Sequence, residues 1–304
     1  MRFFLFFFSI VFSISVCAQQ INVAKLKAHV NFLSNKKLKG RLTGSQQELT
    51  AANYIAKNLK SFGLIPKGNI SSYYYSYKFK QARFAGDTVG GKLVSGINVV
   101  AYLDNHCDST IIISAHYDHL GLTTDQTSYY PGANDNASGV AALIELARHF
   151  SLNKRKEKFN ILFICFSGHE QDFVGSKSFS EKPTIDFSFV KFHLNLDKLG
   201  SLDNARNNLF FEGLDKISVA ENVLNEVGFK KNDLPISTSD ASAFKNYSFP
   251  TVLISTGNNG ENNPLKDEVK KLNFEGEKKV MIFITKLIEK QEEVSCCTCQ
   301  KNRE

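Results

Sequence analysis

The chain has 304 residues, of which 42% are hydrophobic and 22% are charged, and its formal net charge is +7. This composition is that of an ordinary globular protein, long enough for one large core and short for two. The basic residues are scattered through segments such as LSNKKLKGR and LNKRKEKF. The sequence therefore lacks the dense basic block that is typical of nucleic-acid-binding proteins.

The first 18 residues predict a secretory signal peptide. The sequence MRFFLFFFSIVFSISVCAQQ has one arginine, an apolar run of roughly a dozen residues and small residues before Gln19. A transmembrane anchor would need about 20 apolar residues, and serines interrupt this run. A lipoprotein signal would need a small residue before Cys17, where Val16 stands. We therefore expect cleavage near Ala18, a secreted or periplasmic protein, and no membrane attachment afterwards.

Helices and strands then alternate along a single domain, residues 19–292. Two helices open it, VAKLKAHVNFLS and SQQELTAANYIAKNLKSFGL, the second with Ser45 as a predicted N-cap. A tyrosine-rich interval follows, with SYYYSY as a strand or pocket-rim segment. The runs INVVAYL, STIIISAHYD, FNILFICFSG and FVKFHLNLDKLG are typical of buried strands, and SGVAALIELARHF, GSKSFS, LDKISVAENVLNEV and EGEKKVMIFITKLIEK of helices.

This alternation predicts an α/β fold, a three-layer α/β/α sandwich around a mostly parallel mixed sheet. Five cysteines remain after cleavage, an odd number, so at least one is a free thiol or part of an intermolecular bridge. Cys165 lies in an apolar run and is expected to be buried. Residues 293–304 form a Cys-rich tail with Cys296, Cys297 and Cys299, which could bind metal or crosslink chains.

Ligands of such sheets bind beyond the carboxyl ends of the strands, and polar side chains cluster there. They are His116 and Asp118 after one strand, Asp135 before a helix, His169 and Glu170 after the next strand, and Asp197 after another. Histidine and carboxylate side chains together are typical ligands of zinc. Asp118, two residues from His116 in an extended segment, is expected to accept the second ring proton of that ligand and to fix its tautomer.

These motifs resemble the zinc-dependent exopeptidases of the Vibrio and Streptomyces leucine aminopeptidase type, a family that also includes glutamate carboxypeptidase and the glutaminyl cyclases. The resemblance runs through SAHYDHLG, PGANDNASGVAALIELA, FSGHEQDFVGS, NLDKLG, STSDASAF and STGNNGENNPLKDEVKKLNFEG. It implies the zinc-exopeptidase (phosphorylase/hydrolase-like) fold and a two-zinc site. His116 and Asp197 match ligands of one zinc, Asp135 the bridging carboxylate, and Glu170 a ligand of the second zinc.

The chain departs from this pattern at demanding positions. The family's general base, a glutamate, is replaced by His169, which becomes the candidate catalytic residue. The last zinc-binding histidine falls on Asn263, and an amide oxygen is a poor zinc ligand. The Ser-Asp-His pattern near the pocket keeps Ser239 and Asp240 as substrate-binding candidates but continues with Ala241. We expect one zinc to bind firmly and the second weakly or not at all.

Three functions are therefore considered. The first is a secreted, aminopeptidase-like zinc metallopeptidase whose altered metal site leaves it weak or inactive, with a peptide as substrate or ligand. The second is a pseudopeptidase that binds a peptide or a protein. The third is a glutaminyl cyclase. The resemblance implies that its single zinc uses the positions matching Asp135, Glu170 and the lost histidine, so the change at Asn263 and the absence of tryptophan disfavour it. The sequence indicates no oligomeric state.

Overall fold

The computed structural model of the protein describes residues 21–81, 91–152, 159–234, 238–258, 260 and 262–301, with side chains as far as residue 291. The predicted signal peptide lies outside these ranges. Within them, no helix is both long enough and apolar enough to span a membrane.

One mixed sheet of nine strands forms the centre of the described chain. The strands are β1 Ile65–Pro66, β2 Tyr74–Lys80, β3 Leu93–Leu103, β4 Thr110–His116, β5 Asn160–Phe166, β6 Val190–Leu196, β7 Asn208–Glu212, β8 Lys230–Asp233 and β9 Thr251–Ser255. Their order is β1-β3-β5-β4-β6-β9-β7-β8, and β2 also pairs with β3. Strands β5, β4, β6 and β9 are parallel neighbours, whereas β3 and β7 join them antiparallel.

The sequence predicted β3 to β6 and gave β2 as one of two alternatives, but it missed the two-residue β1 and the strands β7 to β9. Each of β7 to β9 has four or five residues. A run this short is not assigned by periodicity, because it is as compatible with a loop or a helix turn as with a strand. The predicted α/β class and mostly parallel sheet are confirmed.

Six helices flank the sheet in the described residues: α1 Val23–Leu33, α2 Gln46–Ser61, α3 Gly139–Leu152, α4 Val174–Glu181, α5 Ala220–Val227 and α6 Phe274–Lys301. All six were predicted, and the Ser45 side chain accepts a hydrogen bond from the Glu48 main chain as the expected N-cap of α2. Helix α6 continues through the Cys-rich segment as far as Lys301. The domain boundary near residue 292 stays a prediction.

The two faces of the sheet carry separate apolar layers, set by the alternation of side chains along each strand. In β5, Ile161, Phe163 and Cys165 pack with the helices α1, α2, α3, α5 and α6. Leu162 and Ile164 point to the other face, where they pack with aromatic residues of β2, α4 and the segment 240–249. The sheet is thus buried on both sides, and Cys165 is fully buried as expected.

Arg41 ties the polar edge of the sheet to the helical layer. Its guanidinium is 1% exposed and donates to the carbonyl oxygens of Leu33, Tyr117, Pro131 and Gly132, at 2.5 to 3.1 Å. Burial lowers the pKa of Arg41 to about 10, despite nearby carboxylates that raise it. The side chain therefore stays charged at neutral pH and holds together the segments that follow β4 and precede α3.

Glu48 is a second buried polar residue that joins α2 to the sheet. Its carboxylate accepts hydrogen bonds from the main-chain nitrogens of Gly44 and Ile97 and from the hydroxyl group of Ser167. Burial nevertheless raises its pKa from 4.5 to about 7, opposed by these hydrogen bonds.

This shift predicts that stability falls as pH rises from about 4.5 to 7, because the folded protein binds more protons than the unfolded chain in that interval. At about 1.4 kcal/mol per pKa unit, the ionisation of Glu48 lowers the free energy of unfolding by an amount on the order of 3 kcal/mol. Chemical denaturation of the native protein and of Glu48→Gln across this interval should show a shallower pH dependence in the variant. If the unfolding free energies of the two proteins changed with pH in parallel, the pKa of Glu48 would not be raised in the folded protein.

Candidate metal centre and active site

The candidate site lies at the carboxyl ends of the parallel strands. His116 is the last residue of β4, and Asp197 directly follows β6. His169 and Glu170 lie three and four residues after β5, which ends at Phe166. Because β5, β4 and β6 are adjacent and parallel, these side chains meet at one edge of the sheet.

A first group of possible metal ligands contains His116, His169 and Asp197, whose candidate ligand atoms all lie within 4.8 Å of one another. The Nε2 atom of His116 lies 3.8 Å from an oxygen of Asp197 and 3.3 Å from Oδ1 of Asp135. The rings of His116 and His169 stack with their centroids 3.6 Å apart. The structure thus brings together His116, Asp135 and Asp197, the set predicted for the first metal, and adds His169 beside it.

A second group contains His119, Asp135 and Glu170, again with ligand atoms within 4.8 Å of one another. Asp135 therefore lies between both groups, as a bridging ligand would. His119 is buried, and its Nδ1 atom lies 3.1 Å from Oε1 of Glu170. Sequence analysis did not place His119 at the site. Its signal was present in the motif HYDH, three residues after His116.

Asp118 is fully buried and connects two of the strand ends. Its carboxylate accepts hydrogen bonds from the Thr43 hydroxyl and from the main-chain nitrogens of His169 and Glu170. The Nδ1 atom of His116 lies 3.2 Å from the Asp118 carbonyl oxygen and 3.6 Å from its carboxylate. The nearer partner of His116 is therefore the main chain of Asp118, while the carboxylate orients the loop that carries His169.

Asp267 positions the other side of the site in the same way. Its carboxylate accepts from the main-chain nitrogens of Asn134 and Asp135 at 2.8 and 2.9 Å. It thereby fixes the loop that presents the bridging carboxylate. Sequence analysis missed Asp267, which lies four residues after Asn263 in a loop that has no periodic pattern.

His169 forms a close pair with the buried Asp240, since its Nδ1 atom lies 2.9 Å from Oδ2 of that carboxylate, and the His169 side chain is 10% exposed. Burial and the neighbouring His116 lower the pKa of His169, but Asp240 raises it enough to leave it above its ordinary value. Ser239 is buried next to Asp240 in the chain, at the start of the short helix Asp240–Phe244. The substrate-binding role predicted for Ser239 and Asp240 stays a prediction, and Asp240 is seen here as the partner of His169.

Lys198 places a positive charge among the carboxylates. Its Nζ atom lies 3.3 Å from Asp135 and 3.6 Å from Asp197. Burial raises the pKa of Asp197, but the Lys198 ammonium and His116 lower it more strongly, to about 2. Burial lowers the pKa of Lys198, whereas the two carboxylates hold it above its ordinary value. Lys198 directly follows Asp197 in the motif NLDKLG, and the sequence alone indicated no role for it.

Comparison with known proteins agrees with this geometry. Residues 98–287 match the model of peptidase family M28. The chain belongs to this family. A probable leucine aminopeptidase from Arthroderma otae is 29% identical over 113 residues, 36% of this chain and 30% of that protein. A probable zinc metalloprotease from Pyricularia oryzae is 39% identical over 114 residues, 36% of this chain and 22% of that protein.

Solved structures share the fold of this protein over most of its length. A leucine aminopeptidase precursor from Bacteroides thetaiotaomicron has a TM-score of 0.68 and 19% identity, covering 89% of this chain and 98% of its own. Glutaminyl cyclase from Porphyromonas gingivalis has a TM-score of 0.67 and 18% identity, and the match covers 89% of this chain and 99% of that chain. These likenesses show the fold, whereas the chain spans only about a fifth to a third of the two curated relatives named above.

The residues present fit the zinc that M28 membership implies. Both groups offer imidazole nitrogens and carboxylate oxygens, the donors that zinc takes in proteins. Among the described residues, several buried donor atoms have no hydrogen-bond partner: Nε2 of His116, Nε2 of His119, Oδ1 of Asp135 and Oδ1 of Asp197. Buried polar atoms are rarely left unpaired, so these atoms indicate a cation as the missing partner. The predicted zinc dependence is supported, and the number of zinc ions stays a prediction.

Lys198 should weaken metal binding, because its ammonium already lies beside Oδ2 of Asp135 and Oδ1 of Asp197, the two carboxylates predicted to bind the first metal. Two positive charges about 4 Å apart repel strongly at a partly buried site. We expect Lys198→Met to bind zinc at least about tenfold more tightly, a difference of about 1.4 kcal/mol, in competition with a chromogenic chelator. Lys266→Met, at an exposed position of the neighbouring loop, is the control. Unchanged or weaker zinc binding by Lys198→Met would contradict this prediction.

Proposed function

We propose that the protein is an exported zinc aminopeptidase of the M28 type that hydrolyses peptides slowly, with His169 as its proton acceptor. The observation that carries this proposal is the close pair of His169 and Asp240, whose Nδ1 and Oδ2 atoms lie 2.9 Å apart, together with the stacking of the His169 ring on that of His116. The signal peptide predicted over residues 1–18 supports export.

The pair gives His169 the orientation that a general base requires. When Nδ1 donates its hydrogen to Asp240, the lone pair of the ring lies on Nε2, the nitrogen away from that carboxylate. The grouping of His169 with His116 and Asp197, whose possible ligand atoms lie within 4.8 Å of one another, supports a position for this ring beside a bound metal. A bound zinc supplies a water of lowered pKa to such a site. His169 then takes a proton from the water that attacks the peptide carbonyl group and returns it to the leaving amine.

The rim of the site favours a substrate with a free amino terminus. Asp135 and Glu170 keep part of their side chains exposed, at 26% and 20%, whereas Asp118, Asp197 and Asp240 are buried. Their negative charge attracts the ammonium group of a peptide. Turnover is expected to be slow, because a nearby metal dication disfavours the protonated form of the imidazole, so His169 accepts the proton less readily than a histidine far from the metal would.

Kinetics with leucine p-nitroanilide test the role of His169. His169→Ala should lower kcat by about 100-fold or more, the usual contribution of a positioned general base. His169→Glu, which introduces the family's residue, should raise kcat above the native value. Asp240→Asn should lower kcat with little change in KM, and it should have no further effect in the His169→Ala background. Asp172→Asn, at an exposed position two residues from Glu170, is the control.

Two results would contradict the proposal. Activity of His169→Ala equal to that of the native protein would remove His169 from the reaction. A native protein that binds zinc but is inert, while His169→Glu is active, would identify a peptide-binding pseudopeptidase instead of an enzyme.

Cyclisation of an amino-terminal glutamine is a second candidate, favoured by one observation. His119, Asp135 and Glu170 form a group of one histidine and two carboxylates, the type of ligand set that the resemblance implies for the single zinc of the cyclases. In this reaction the free amine attacks the side-chain amide and ammonia leaves. A glutaminyl peptide in the substrate panel, with mass spectrometry of the product, distinguishes loss of ammonia from hydrolysis.

A further inference from the structure

Asn263, which replaces the family's last zinc-binding histidine, is engaged elsewhere in this structure. Its side chain is exposed and forms the N-cap of the short helix Pro264–Lys266. The Oδ1 atom accepts a hydrogen bond from the main-chain nitrogen of Leu265 at 3.0 Å. The amide oxygen that would have to replace the histidine thus already caps a helix, and a neutral amide is a poor zinc donor.

His119 brings an imidazole to the same place from another part of the chain. It lines one cavity of about 340 Å³ together with Asp135 and Asn263. Its side chain is 1% exposed, and its Nδ1 atom lies 3.1 Å from Oε1 of Glu170. The Nε2 atom is buried without a hydrogen-bond partner among the described residues. A histidine in this position offers the type of ligand that residue 263 lacks.

The orientation of His119 is fixed by its surroundings. A Cβ atom added to Gly132 would lie 2.6 Å from Cδ2 of His119, so this glycine lets the main chain pack directly against the ring. The main-chain nitrogen of His119 donates to the carbonyl oxygen of Arg41, whose guanidinium in turn binds the carbonyl oxygens of Pro131 and Gly132. The ring is therefore held between two segments that are tied to each other, as a preorganised ligand is.

We propose that His119 is the histidine ligand of the second metal in this protein and takes over the role lost at position 263. The second metal is then held by His119, Asp135 and Glu170, and Asp135 bridges to the first metal at His116 and Asp197. This inference rests on the proposed function for the identity of the metal as zinc. It changes the expectation for the second site, because three protein ligands bind zinc more tightly than two.

The test is the zinc content of the purified protein. After loading with zinc chloride and removal of excess metal, the native protein should hold two equivalents of zinc, measured by inductively coupled plasma mass spectrometry. His119→Phe, which keeps a ring against Gly132, should hold one equivalent and bind a second about 100-fold or more weakly, at the upper end of losses seen when metal-site residues are changed. His119→Phe with Asn263→His should regain the second equivalent, since it restores the family's ligand.

Two controls make this result specific. His106→Ala removes an exposed histidine and should hold two equivalents. Thermal unfolding of each metal-free variant shows whether it is folded, and His119→Gln takes the place of His119→Phe if the phenylalanine is not accommodated. Two equivalents in a folded His119 variant, or one in the native protein, would overturn the inference. Because zinc content is measured without substrate, an inert protein with two zinc ions would contradict only the proposed function.

Discussion

Burial of several carboxylates at one point is the constraint on which the rest of this structure depends. Asp118, Asp197 and Asp240 are buried at the carboxyl edge of the sheet, and Asp135 and Glu170 are largely covered. Burying like charges together is costly unless cations or hydrogen-bond donors accompany them. The surroundings of each carboxylate can be understood as a way of meeting that cost.

Hydrogen bonds from main-chain and side-chain groups offset part of the cost of burying these carboxylates. Asp118 and Asp267 each accept hydrogen bonds from the backbone of a loop that carries metal-site residues, and Asp240 pairs with His169. Lys198 is the cation nearest to Asp135 and Asp197 in the described chain. Among the described residues, the buried atoms without a hydrogen-bond partner include Nε2 of His116, Nε2 of His119, Oδ1 of Asp135 and Oδ1 of Asp197. A bound dication would complete the charge balance at these atoms.

The sequence predicts the scaffold and the ligands that a family pattern contains, but not the residues that act through long-range contacts. Long apolar runs assigned β3 to β6 and α3 correctly, since burial on both faces leaves a continuous hydrophobic signal. Arg41 and Glu48 hold segments that lie 49 to 119 residues away in the chain, and no local pattern reveals such contacts. His119 was missed for a different reason: three residues after His116 in the motif HYDH, it was interpreted as a surface or packing residue.

The two positions that depart from the family pattern, His169 and Asn263, each have another side chain of the site nearby. Replacement of the family's base by His169 is accompanied by a carboxylate partner, Asp240, that orients its ring. Loss of the histidine at position 263 is accompanied by a histidine at 119 directed at Glu170. A metal site that had simply decayed would not require either partner to be buried in contact with the altered centre. Each altered position therefore has a buried side chain beside it that contacts the metal centre, and this favours retained zinc chemistry.

The central claim is that the two donor groups are two adjacent zinc sites. Anomalous X-ray diffraction at the zinc edge, from crystals of the zinc-loaded protein, tests it most directly. The account predicts two anomalous peaks that share Asp135, one in contact with His116 and Asp197 and the other with Glu170 and His119. A single peak without His119 as a ligand, or zinc bound only away from these residues, would contradict it.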